Sequence, residues 1–117
     1  MIFKVREMKV EYDNLDKQLV LKITEELDHH SCDKIRGRAD FEIQSKMPKS
    51  VVFDFSNTTF MDSAGIGMLI GRYKLVSMLG GTLNMTNVKP SIKKVLEMSG
   101  VLKLIPIIEE VGGNKFE

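Results

Sequence analysis

The chain has 117 residues, of which 43% are hydrophobic, and 17 Lys+Arg against 16 Asp+Glu leave a net charge of +1. That length suits one domain, residues 1–117, with a real core, and the balanced charge exerts no long-range pull toward nucleic acid or an anionic membrane. No apolar run approaches the roughly 20 residues of a membrane span, and the charged opening Met1-Ile2-Phe3-Lys4-Val5-Arg6-Glu7 holds no signal-peptide stretch. The single Cys32 cannot form an internal disulfide, which fits a reducing compartment, so a soluble cytoplasmic protein is expected.

Residues 5–12 read as an edge strand, Asp13-Asn14-Leu15-Asp16 as a turn, and residues 19–24 as a second strand with Leu19, Leu21 and Ile23 on one face. Together they predict an antiparallel hairpin. Asp28 or Ser31 is placed to cap a first helix, whose buried stripe is Cys32, Ile35, Ala39 and Ile43, and Pro48 ends it. Residues 51–56 are a short apolar run of the kind found in buried strands. A second helix is predicted over 63–79, stopped by Gly80-Gly81, and residues 82–86 alternate as a strand. Pro90 opens a third helix carrying Ile92, Val95, Leu96 and Ser99, which Gly100 ends. Residues 102–108 are expected to form a last short strand, and the polar tail 109–117 to fray. This alternation predicts an α/β fold, mostly parallel with right-handed crossovers.

Ser63 is the candidate reactive position, because it falls at or next to the start of the second helix. A phosphate there would meet unpaired N–H donors and the positive end of the helix dipole, while Asp62 would oppose its charge. Gly65, Gly67 and Gly71 follow in the same helix, a concession of about 2 kcal/mol in helix propensity. Gly67 and Gly71 share a face, and either the domain's own sheet or a partner comes close to it. A nucleophile elbow has the pattern G-x-S-x-G, and Met61 stands where it needs a small residue. His29 and His30 are the only bases available, so hydrolase chemistry is disfavoured. His29, His30, Cys32 and Asp33 lack the converging geometry of a zinc site, and no P-loop or dinucleotide fingerprint occurs. No metal or cofactor is expected.

The run Phe60-Met61-Asp62-Ser63-Ala64-Gly65-Ile66-Gly67, continuing to Gly71-Arg72-Tyr73-Lys74, resembles the signature of the STAS domain family, most of all its bacterial anti-anti-sigma factors of the stage II sporulation group. Glu26-Leu27-Asp28-His29-His30 resembles a second family motif, and Pro90-Ser91-Ile92-Lys93-Lys94-Val95-Leu96 with Met98-Ser99-Gly100 a third region. The resemblance implies a mixed sheet of four to five strands with about four helices. It also implies a non-enzymatic partner switch used in transcription and sporulation. In that switch the unphosphorylated form binds an anti-sigma factor that is also a serine kinase and so frees the sigma factor. Phosphorylation of Ser63 ends the inhibition, and a serine phosphatase restores it. The implied docking surface comprises Asp28, His29, Met61, Asp62, Ser63, Ala64, Gly65, Ile66 and Gly67, with Ile66 an exposed anchor. Glu25 replaces the usual glycine, and Ala64 replaces a frequent second serine, leaving Ser63 the only hydroxyl of the motif. A STAS scaffold or regulatory module outside sigma-factor control is the alternative.

Overall fold

The computed structural model describes residues 8–24 and 26–109. The start of the expected first strand, Glu25, and the tail from residue 110 lie outside the described residues. A five-stranded sheet forms in the order β1 (Met8–Asp13), β2 (Gln18–Ile23), β3 (Ser50–Asp54), β4 (Thr82–Thr86) and β5 (Ile107–Ile108). The hairpin β1–β2 is antiparallel and every other pairing is parallel. Helices α1 (Cys32–Lys46), α2 (Ser63–Met78) and α3 (Pro90–Ser99) lie in the three parallel crossovers. Neighbouring strands follow one another in sequence, so right-handed crossovers place all three helices on one face of the sheet.

Strand alternation decides which side chains meet those helices. Val10, Leu21, Phe53 and Met85 are aligned across four strands, and the last three are fully buried. Lys9, Lys22 and Asp54 occupy the opposite face. The expected stripe Cys32, Ile35, Ala39 and Ile43 is buried against this core, together with Met68, Leu69 and Val76 of α2. Glu42 joins the buried side of α1, where its carboxylate meets Lys46 at 2.7 Å and Arg38 at 3.7 Å. Arg72 of α2 is also buried, and its Nε lies 2.7 Å from Asp40 Oδ1 of α1, tying the two helices together.

The hairpin turn is held by Asp13, whose Oδ1 accepts the N–H groups of Leu15 at 2.9 Å and Asp16 at 3.2 Å. Helix α1 stops at Lys46, with Met47 left-handed (φ 49°) before Pro48. Gly81 permits a close crossing, since a Cβ there would lie 3.0 Å from Pro48 O.

The last expected strand is corrected. Residues 101–103 form a 3-10 turn, and only Ile107–Ile108 pair with β4. Left-handed Gly100 (φ 82°) lets the chain continue helically after α3, burying Val101 and Ile105 on one side. Pro106 has no N–H to give to a ladder, and its carbonyl accepts Met85 N–H at 2.9 Å. The alternating apolar residues of 102–108 therefore belong to two different local structures.

Candidate functional site

The carboxyl ends of β2 and β3 point the same way, so the chain leaving β2 and the chain leaving β3 emerge side by side. They are then joined. Leu27 N–H donates to Phe60 O at 3.0 Å, and Asp62 N–H donates to Leu27 O at 3.1 Å, a parallel bridge between Leu27 and Met61. Beside it, the Glu26 carboxylate accepts Thr59 N–H at 3.2 Å and Thr59 Oγ1–H at 2.7 Å. Two sequence motifs more than thirty residues apart thus become one surface.

Asp62 is the N-cap of α2. Its Oδ1 accepts the N–H groups of Ala64 at 2.8 Å and Gly65 at 3.3 Å. Ser63 is the first helical residue and is exposed. Because its neighbour does the capping, the Ser63 hydroxyl is not needed to start the helix. The expectation that a phosphate would find free donors here is corrected: the second and third N–H groups of the helix already bind the Asp62 carboxylate.

Asp28 does not cap α1. Ser31 occupies the cap position, but its hydroxyl donates to Glu26 O and not to the helix. Asp28 Oδ1 instead accepts Ser31 N–H at 3.0 Å and His30 N–H at 2.9 Å, closing the turn before the helix. The Ser31 N–H bond is the main cause that holds the Asp28 carboxyl below the ordinary carboxylate range. His29 is exposed, with its ring centroid 4.1 Å from that of His30.

The other named positions divide by depth. Met61 and Gly65 are buried. A Cβ on Gly65 would lie 2.7 Å from Met61 Cγ and 3.1 Å from both Leu27 Cβ and Leu27 O, so this glycine serves the molecule's own packing. Ala64 and Ile66 are partly buried against the core, so Ile66 shows only part of its side chain. Gly67 is exposed, and apart from the helix's own nearby backbone neither Gly67 nor Gly71 has, among the described residues, a heavy atom within 4 Å of where a Cβ would sit. The sheet therefore does not explain these two glycines. They border an open groove of about 440 Å³ between the two helix starts, together with His29, Arg36, Ala64 and Arg72. Cys32 lines it as well; burial, then the negative charge of Asp62, pushes its thiol up to about 11, so it stays protonated and unreactive at neutral pH.

Within the motif run, the sequence does not mark Phe60 as an outward residue. It is 50% exposed while its neighbour Met61 is buried, and nothing in the local pattern distinguishes an outward aromatic from a core one.

The model of the STAS domain matches residues 8–113. The chain belongs to the STAS domain family. An anti-sigma F factor antagonist of Paenibacillus polymyxa is a STAS relative 35% identical over 102 residues, 87% of each chain. The solved structure of the anti-sigma factor antagonist SpoIIAA in its unphosphorylated form matches with a TM-score of 0.77 at 24% identity, covering 93% of this chain and 92% of that one. The phosphorylated form of the Bacillus cell fate determinant SpoIIAA matches at 0.70 and 24% identity, covering 93% and 96%. At that identity the two structures speak for the STAS fold.

The glycines separate cleanly by experiment. Gly65→Ala should destabilise the protein by about 1–3 kcal/mol through overpacking against Met61 and Leu27. Gly67→Ala and Gly71→Ala should each leave stability unchanged or raise it by up to about 1 kcal/mol. Asp62→Ala should cost about 0.5–2 kcal/mol by removing the cap. Urea denaturation of the four variants beside wild type measures all of these; a neutral Gly65→Ala would overturn the packing explanation.

Proposed function

We propose that this STAS protein is an anti-sigma factor antagonist of the cytoplasm whose unphosphorylated form binds an anti-sigma factor, itself a serine kinase, and releases the sigma factor. Phosphorylation of Ser63 switches it off, and a serine phosphatase restores it. The chain acts in this scheme as a substrate and binding partner, with no cofactor of its own. The observation that carries the reading is the exposed Ser63, held at the first position of α2 by a neighbour that already caps the helix. Among the described residues its hydroxyl makes no cap bond, since Asp62 supplies the cap. The curated relative named above supports the reading by its name and by 87% coverage.

The docking surface in this reading is made by Asp28, His29, Asp62, Ser63, Ala64, Ile66 and Gly67. Met61 and Gly65 leave the contact set, because burial removes them from a partner's reach; they support the turn from beneath. A phosphoserine adds about −1.5 to −2 charges. At position 63 that charge stands beside Asp62, and two of the nearest backbone donors are already engaged. The fold gives the dianion little compensation, so its solvation has to be stripped when a partner closes over it. A loss of about 3 kcal/mol weakens binding by about two orders of magnitude.

Intact mass after incubation with ATP and the anti-sigma F factor of Paenibacillus polymyxa tests the switch. Wild type should gain one phosphoryl group and Ser63→Ala none. In calorimetry, Ser63→Ala should retain binding to that factor, while Ser63→Asp should bind at least about tenfold more weakly. Wild type that is neither bound nor phosphorylated would favour a STAS module outside sigma-factor control.

A further inference from the structure

Resting on the antagonist reading, we infer that Phe60 is the aromatic anchor by which the partner engaging Ser63 recognises this chain, its ring seating in an apolar pocket of that partner. Phe60 stands three residues before Ser63 and half of its side chain is in water. Burial alternates sharply around it: Thr58 and Met61 are buried, Thr59 and Phe60 are exposed. The ring is thus displayed by a fixed backbone path and is not the overflow of a crowded core.

That path is clamped on both sides. Phe60 O accepts Leu27 N–H at 3.0 Å, Asp62 N–H reaches Leu27 O at 3.1 Å, and Thr59 gives both its N–H and its hydroxyl to Glu26. A side chain on such a segment has its backbone entropy already removed, so docking costs less than on a free loop. Binding hot spots are typically rigid aromatic or other large groups that enter a dry pocket near the middle of an interface. Phe60 and Ser63 lie on opposite sides of the Leu27–Met61 bridge and the Asp62 cap, so one rigid unit fixes the anchor relative to the hydroxyl. Among the described residues the other exposed large apolar side chains lie elsewhere: Leu15 at the hairpin tip, Phe41 on α1, Met47 just past its end, Met78 at the end of α2, Met98 on α3 and Leu104 after the 3-10 turn.

The test uses the full, unphosphorylated chain and the anti-sigma F factor of Paenibacillus polymyxa with a non-hydrolysable ATP analogue. Affinity is read by calorimetry and folding by thermal melting. Phe60→Ala should bind at least about 30-fold more weakly. Phe60→Leu should recover most of the affinity and Phe60→Gln, comparable to leucine in size but polar, should not. Phe41→Ala removes a still more exposed ring from another place and should bind as wild type does. If Phe60→Ala melts early, the Leu and Gln variants carry the comparison. Binding of Phe60→Gln within about threefold of wild type overturns the anchor and leaves the antagonist reading standing. Failure of wild type itself to bind overturns both.

Discussion

Two backbone hydrogen bonds join the two segments of the candidate site: Leu27 N–H to Phe60 O and Asp62 N–H to Leu27 O. They continue the parallel pairing of β2 with β3 past the point where both strands have ended. Together with the Glu26–Thr59 hydrogen bonds they join the segments carrying Asp28 and Ser63. With them, Asp62 is fixed where its carboxylate can cap α2, and Gly65 is pressed against Leu27 and Met61. The bridge, the cap and the glycine depend on one another. A side chain at 65 would force Met61 or Leu27 to shift at the bridge.

This arrangement also settles what a charge on Ser63 would meet. A bare helix N-terminus attracts anions through its unpaired N–H groups and its dipole. Here a carboxylate is already in that position, bound to Ala64 and Gly65. In the proposed switch a phosphate would be an additional anion at an occupied site. Its main effect falls on what approaches the surface and not on the helix beneath. A switch of this kind can reverse binding while leaving the fold nearly unchanged, which suits a reversible cycle of kinase and phosphatase.

Much of the fold was legible from periodicity. Leu19, Leu21 and Ile23 declared the inner face of β2, and Cys32, Ile35, Ala39 and Ile43 the inner stripe of α1. Pro48, Pro90 and Gly100 marked helix boundaries because their backbone limits act locally. The failures came where tertiary pairing decided the outcome. Residues 102–108 look like a strand, but Gly100 and Pro106 split them into a 3-10 turn and a two-residue strand. Asp28 looks like a helix cap, but it closes the preceding turn. The sequence placed Ser63 at or next to the start of α2, as the structure has it, yet could not say that Asp62 would be the cap or that Met61 would turn inward. Those facts follow from the Leu27 bridge, whose partners are more than thirty residues apart and carry no local signal.

The three glycines of α2 show the same limit in a single residue type. By sequence each is an equal concession in helix propensity. By structure Gly65 answers to a neighbour 2.7 Å away, whereas a Cβ on Gly67 or Gly71 would meet nothing within 4 Å among the described residues beyond the helix's own backbone. An alanine at either outer position would fit and would favour the helix. Their presence leaves the outer surface of α2 bare beyond Ser63, next to the groove that His29 and Arg36 border. Ser63 therefore stands on a turn followed by Ala64, Gly65, a partly buried Ile66 and Gly67, with little side-chain bulk to keep another surface away. In the proposed reading, an exposed hydroxyl at an uncrowded helix start and an aromatic ring on the clamped loop just before it favour close contact with a protein over reaction with a small molecule.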